Sequence, residues 1–302
     1  MTSATGRSRA NTERTIPGLS PALRGRLRRL FRFVSALSPA LAARLAMRLF
    51  LTPIARPVAA AEARFLATAR SLRLTTPLGR LQVYEWPGPA AAPAVLVVHG
   101  WISHAARMAE VIRALRGRGL RVVAFDAPAH GRSSGAQADL PAFRQAIDAV
   151  TAACGPFHGV LAHSFGALTT TAWLSEQAPA QIRAVVLVGM MNNVGYVFES
   201  FAQAMALNPR VIAGFRALFR RRYGGEPETF SSDRLVAALR LPILVVHGGI
   251  DELVPVGHAS QISSQLRDGR LLLVGHLGHS APLRDPDTVA QIADFLATRL
   301  AP

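Results

Sequence analysis

The chain has 302 residues, half of them hydrophobic, a single cysteine and a formal net charge of +16. That length and apolar content suffice to bury a sizeable core, and a lone cysteine excludes an internal disulfide and fits a reducing, cytoplasmic compartment. Every basic residue is arginine, and residues 1–60 hold eleven of them against one acid, Glu13, so the charge excess is concentrated in an N-terminal extension. No nucleic-acid motif accompanies it, and no nucleic-acid partner is expected.

Residues 1–20 are polar and rich in Gly, Ser, Thr and Asn, a composition that predicts a disordered tail. Leu23, Leu27, Leu30, Phe31, Val34 and Leu37 then recur at helical spacing, with Arg24, Arg28 and Arg32 off the stripe. Ser38-Pro39 reads as a helix cap followed by a first-turn proline, opening a second helix with an apolar side of Leu41, Leu45 and Leu49. The pair covers apolar surface of the body or lies on an anionic membrane, so peripheral membrane contact through residues 21–52 is carried as an expectation. Pro39 and Arg44 break the uncharged stretch 33–43 too early for a secretory signal, and no stretch is long enough to span a bilayer.

The pattern changes after residue 70. "SLRLTT" and "GRLQVYEW" flank Pro77-Leu78-Gly79 as a hairpin-like pair of strands. Short, continuously apolar runs follow at 94–98, 121–125, 159–162, 184–188, 243–247 and 270–274, the look of strands buried on both faces of a parallel sheet. Helical patterns at about 104–117, 140–153, 165–177, 256–267 and 287–300 alternate with them. The fold class is therefore α/β, a mostly parallel central sheet flanked by helices. Cys154, ending one helical pattern without a basic neighbour, reads as a small buried residue. The interval 190–240 lacks a strand and holds one clear amphipathic helix through Val211, Ile212, Phe215, Leu218 and Phe219, an inserted helical cap. The organisation is a tail (1–20), a basic helical extension (21–70) and an α/β domain (71–302) carrying the cap at about 190–240.

Polar residues gather where these strands end, as function does in open α/β sheets. His99-Gly100-Trp101 follows the first parallel run, "DAPAHGRSSG" the next, and "GVLAHSFGA" carries Ser164 out of the third. "GGIDELVP" and "GHLGHSAPLRDP" follow the last two. Together, over roughly residues 72–300, these motifs resemble the α/β-hydrolase fold family, in which a strained strand-turn-helix elbow presents a serine and an acid and a histidine follow in chain order. The resemblance implies Ser164 as nucleophile, Asp251 as the acid and His279 as the base. Both His276 and His279 follow a glycine, and His279 alone precedes a proline, Pro286, by the family's seven residues. His276 is then a loop hydrogen-bonding residue. Ala162 stands where the elbow has a glycine, which adds one methyl group at a crowded position.

In such a site the histidine takes the serine proton during attack and the aspartate holds the imidazole in the useful tautomer. The oxyanion needs preorganised donors, here the backbone N–H groups of Trp101 and Phe165. Asp126, His130 and Ser133 read as turn-formers, His99 as a loop-holding residue and Arg220-Arg221-Arg222 as a solvated helix end. Candidates for an apolar substrate pocket are Trp101, Met191, Val197, Phe198 and Phe201, taking an acyl or alkyl group of a small-molecule substrate. No Cys or His spacing suggests a metal, and the implied reaction needs no cofactor. The expected function is serine hydrolysis of a carboxylic ester or thioester through an acyl-enzyme. Amide or carbon–carbon bond hydrolysis, perhydrolase-type chemistry and a non-catalytic binding protein on the same scaffold stay open, as does the oligomeric state.

Overall fold

The computed structural model describes residues 18–177 and 179–301. The expected tail lies outside them apart from Gly18–Ser20. Helix α1 (Pro21–Leu37) and helix α2 (Pro39–Phe50) open the described chain. Each is started by a serine side chain accepting from a first-turn amide, Ser20 from Leu23 and Ser38 from Leu41, with proline at the first helical position. A short helix α3 (Ala60–Leu66), unmarked in the sequence pattern, precedes the antiparallel pair β1 (Arg70–Thr76) and β2 (Gly79–Trp86). Then come β3 (Ala94–Val98), α4 (Ala109–Gly117), β4 (Arg121–Asp126), α5 (Leu140–Cys154), β5 (Gly159–His163), α6 (Phe165–Gln177) and β6 (Ala184–Val188). Three helices, α7 (Val194–Ala204), α8 (Pro209–Tyr223) and α9 (Ser232–Ala238), intervene before β7 (Ile243–Gly248), α10 (Gly257–Ser263), β8 (Gly269–Val274) and α11 (Pro286–Leu300).

The strands form one sheet in the order β1-β2-β4-β3-β5-β6-β7-β8, parallel from β4 through β8. Strands β3, β5, β6 and β7 are buried at every position, because helices cover both faces and each face packs its own apolar cluster. Strand β8 departs from the expectation of two buried faces. It is the edge strand, paired only to β7, and its residues are half-buried or exposed. Cys154 is buried at the end of α5, as a small apolar residue would be.

The interval between β6 and β7 holds three α-helices among the described residues, where the sequence marked one. Helix α8 is capped at both ends, by Asn208 accepting from Val211 and by Gly224 in the left-handed conformation. The arginines at its end are not simply solvated. Arg220 pairs with Glu226 at 2.9 Å and Arg222 with Asp139 at 2.9 Å. The Tyr223 hydroxyl also donates to Asp139, whose other oxygen caps α5, so this carboxylate joins α8 to α5.

Helices α1 and α2 share an apolar cluster with α7 and α8. Of the expected Leu41-Leu45-Leu49 face of α2, Leu45 and Leu49 pack half-buried against this cluster but Leu41 is exposed, and the fully buried side is Ala42, Ala43, Ala46 and Met47. The reason is distance. Helix α2 runs so close to α8 that a Cβ built on Gly214 would come within 2.9 Å of the Ala43 Cβ, and only small side chains fit between. On α1, Phe31 is buried, Leu27 and Val34 pack against the same cluster, and Arg28 donates to the Ala204 carbonyl at 2.8 Å. Leu23, Leu30 and Leu37 of the predicted stripe are exposed.

Candidate active site

Strand β5 delivers Ser164 into a turn whose backbone is strained. Ser164 has φ of 55°, a left-handed conformation that side-chain-bearing residues seldom adopt, and its amide donates to the Val188 carbonyl at 2.8 Å. Close packing holds the turn there. A Cβ on Gly166 would collide with the His99 carbonyl oxygen, so glycine is required at that position. Ala162 is fully buried and pairs in register with Val98 and Leu187, where its methyl group joins the core.

The acid and histidine loops meet through glycines as well. Gly248 faces the Leu277 carbonyl with no room for a side chain, and the Gly249 and Ile250 amides donate to the Val274 and Leu277 carbonyls at 2.8 and 3.1 Å. That contact brings His279 Nδ1 to 2.7 Å from Asp251 Oδ2, while His279 Nε2 lies 2.9 Å from Ser164 Oγ. With the proton on Nδ1, the imidazole donates to Asp251 and accepts from the serine hydroxyl. Asp251 Oδ1 accepts from the Leu253 and Val254 amides at 2.9 and 2.8 Å. Burial pushes this carboxyl up, but the His279 hydrogen bond and charge, with the two amides, outweigh it and hold it below the usual carboxylate value.

The loop after β3 passes directly beside the serine, since a Cβ on Gly100 would come within 2.9 Å of the Ser164 Cβ. Two histidines hold this loop. His99 Nδ1–H donates to the Gly100 carbonyl at 2.7 Å and its Nε2 accepts from the Ala127 amide at 2.9 Å. His130 donates to the Pro128 carbonyl and accepts from the Ile102 amide at 3.2 Å. Burial lowers them to about 4 and about 3, so both rings are neutral at pH 7. Asp126 accepts from the Ala105 and Arg132 amides and the Tyr84 hydroxyl, and Ser133 donates to the Asp126 carbonyl. These residues hold turns and do not reach Ser164. Among the described residues no acceptor engages the Trp101 or Phe165 amide, and Phe165 begins α6, whose N-terminal dipole favours an anion.

His276 departs from expectation: it is exposed and makes no hydrogen bond to the described residues. Two histidines without an assigned role in the sequence lie at the site. The His163 ring packs 4.9 Å from the His279 ring, and burial, reinforced by the nearby His279 charge, lowers it to about 3. His247 donates to the Val254 carbonyl at 2.8 Å and lies 3.4 Å from Asp251 Oδ2. Nothing in the local pattern marks them, because their role depends on loops remote in the chain.

Ser164 and His279 open into an apolar cavity of about 340 Å³. Trp101, Met191, Val197 and Phe201 line it as expected. Phe198 does not. One position round α7 from Val197, it is fully buried and stacks on Phe215 with ring centroids 4.0 Å apart. A whole wall is unmarked in the sequence pattern: Leu19, Leu27, Leu49 and Phe50 line the cavity from the N-terminal helices and the turn before them. Arg56 and Arg107 also border it, and Arg107 faces Glu62 at 3.9 Å. Among the described residues, no cluster of His, Cys, Asp or Glu is arranged to hold a metal ion.

Known proteins share this framework. A family model described as serine aminopeptidase, S33, matches residues 89–224, which contain Ser164 but stop before Asp251 and His279. The monoacylglycerol lipase of Mycolicibacterium smegmatis is 28% identical over 214 residues, covering 58% of this chain and 76% of that protein. The pimeloyl-[acyl-carrier protein] methyl ester esterase of Nitrosomonas europaea is 25% identical over 249 residues, covering 68% and 95%. The solved structure of the Pyrococcus furiosus esterase Pf2001 superposes with a TM-score of 0.63 at 19% identity, over 83% of this chain and 98% of that one. With the strand order, the turn at Ser164 and these similarities together, the chain has the α/β-hydrolase fold and is a hydrolase.

Proposed function

We propose that the chain is a serine hydrolase that cleaves a carboxylic ester or thioester through an acyl-enzyme. The observation that carries this reading is the hydrogen-bonded series Ser164–His279–Asp251 at the mouth of an apolar cavity. Relatives named as a monoacylglycerol lipase and a methyl ester esterase support ester cleavage over amide or carbon–carbon bond chemistry.

Ser164 Oγ attacks the substrate carbonyl carbon while His279 Nε2 takes the hydroxyl proton. The carbonyl oxygen becomes an oxyanion held by the Trp101 and Phe165 amides, a type of donor whose loss costs on the order of 3 kcal/mol in the barrier. Asp251 stabilises the imidazolium. His279 then returns the proton to the departing alcohol or thiol, and the acyl group stays on Ser164. Water attacks the acyl-enzyme carbonyl, His279 again takes a proton, and the tetrahedral species collapses to the free acid and Ser164 Oγ–H. The acyl or alkyl chain lies in the cavity, whose wall combines the helices between β6 and β7 with α1 and α2. All of these helices together act as the cap.

The test uses purified protein, a fluorophosphonate probe and p-nitrophenyl esters of short and long chain. Wild type is expected to label and to turn over esters, and Ser164→Ala to do neither. Folded wild type that does neither contradicts the reading, and labelling that survives Ser164→Ala moves the nucleophile elsewhere.

A further inference from the structure

Of the seven large apolar side chains that the described residues leave exposed, five lie on α1 and α2. They are Leu23 (42% exposed), Leu30 (42%), Phe33 (66%), Leu37 (71%) and Leu41 (54%). Four of them recur along α1 at three-, four- and seven-residue spacing, which places them on one side of the helix, beside the half-buried Leu27 and Val34 that face the cavity and the shared core. An exposed apolar stripe on a helix already docked along the adjoining stripe marks an interaction surface.

Charge identifies the occupant. Between Pro21 and Phe50 there are seven arginines and no acid, and Arg26, Arg29, Arg32, Arg44 and Arg48 are all exposed. Arg26 falls within the apolar stripe and Arg29 and Arg32 follow round the helix from it, so guanidinium groups border the leucine and phenylalanine side chains. Apolar side chains able to enter the acyl boundary, edged by cations at headgroup level, match an anionic phospholipid bilayer. A protein partner of this chemistry would need an acidic rim around an apolar groove; a second copy packing the same face would set arginines against arginines, and eight of the seventeen described acids are already paired with arginine elsewhere. No described helix is long and apolar enough to cross a membrane, so the contact is one of lying on the surface.

We infer that the outer face of α1 and α2, through Leu23, Leu30, Phe33, Leu37 and Leu41 and the arginines beside them, docks the protein on an anionic lipid bilayer. The inner faces of the same helices wall the cavity, so docking sets that wall against lipid. The inference goes beyond the proposed chemistry and does not depend on Ser164 being the nucleophile.

The experiment is flotation of full-length Ser164→Ala protein with vesicles of phosphatidylcholine alone or with about one-third phosphatidylglycerol. Binding is expected only to the anionic vesicles. It should weaken at least about tenfold when salt is raised from roughly 0.05 to 0.5 M. The substitutions Phe33→Ser, Leu37→Ser and Leu41→Ser together, or Arg26→Gln, Arg29→Gln and Arg32→Gln together, should each lower it by a similar factor. In the wild-type background these variants should keep the turnover of a short soluble ester within about twofold, which separates lost docking from lost folding. Failure of full-length protein to float, or flotation that both triple variants leave unchanged, overturns the inference. So does light scattering that finds a dimer dissociated by the apolar substitutions, or flotation that appears only after residues 1–17 are removed.

Discussion

The carbonyl oxygen of His99 occupies the space that a side chain at position 166 would need, so the turn carrying Ser164 and the loop carrying Trp101 pack backbone against backbone. This contact sets both amides of the proposed oxyanion hole relative to the serine. Gly166→Ala forces one of the two backbones to move. The expected result is a loss of about 3 kcal/mol of stability, as for overpacked cores, together with a fall in kcat. Ala162→Gly removes only a methyl group from β5, and about 1 kcal/mol should be lost with kcat retained. Chemical denaturation and ester turnover of both variants check the contrast, and equal effects at the two positions would contradict it.

The hydrogen bond from His279 Nδ1 to Asp251 makes a second, asymmetric prediction. Asp251→Asn keeps the shape but lets an amide N–H face the ring, which favours the wrong tautomer, and kcat should fall about 10⁴-fold. His279→Ala should abolish acylation. His276→Ala should leave turnover unchanged, because that exposed ring touches nothing in the site. Burst kinetics with a p-nitrophenyl ester read all three.

Acid should destabilise the fold before it titrates the carboxylates. Burial lowers His99 to about 4 and His130 and His163 to about 3, from 6.5 in an unfolded chain. Between about pH 6.5 and pH 4 the unfolded chain therefore binds more protons than the folded one, so stability falls as pH falls. Each histidine contributes on the order of 1.4 kcal/mol per pH unit across that window, and the contribution is fully present above it. Asp126, whose carboxyl burial raises, works in the opposite sense, one group against these three and against His104 and His158, which burial also lowers. The urea midpoint should drop clearly from pH 7 to pH 5. A flat midpoint over that range would mean that the three rings are not held neutral.

Neighbouring residues on α7 should behave differently. Phe198 is fully buried against Phe215, and Phe198→Ala should cost about 3–5 kcal/mol of stability. Phe201 lines the cavity and is only partly buried, so Phe201→Ala should chiefly alter KM and the preferred acyl-chain length. A p-nitrophenyl ester series of increasing chain length, with a melting curve for each variant, distinguishes the two.

What the sequence determined by itself is what short-range pattern controls. Six continuous apolar runs marked the six parallel strands: in five of them nearly every position is buried and the run has no polar alternation, while β8 carries the same pattern as a half-exposed edge. Ser20, Ser38, Asn208 and Asp285, each followed by proline, start helices through bonds made within one turn. Ser164, Asp251 and His279 stood out as candidates because each sits at a strand end, and the structure places them within hydrogen-bond reach of one another. The interval between β6 and β7 was legible as an interruption of the strand rhythm, but not as three helices. Only the tertiary structure decided which side of each amphipathic helix is inside. Periodicity gave α2 a leucine side, yet the close approach of Ala43 to Gly214 buries alanines there and leaves Leu41 outside. The same holds for Phe198, for the histidines behind Asp251 and beside His279, and for the cavity wall supplied by residues 19–50. Each depends on contacts between segments far apart in the chain, and the pattern within one segment shows that a face is apolar without showing what covers it.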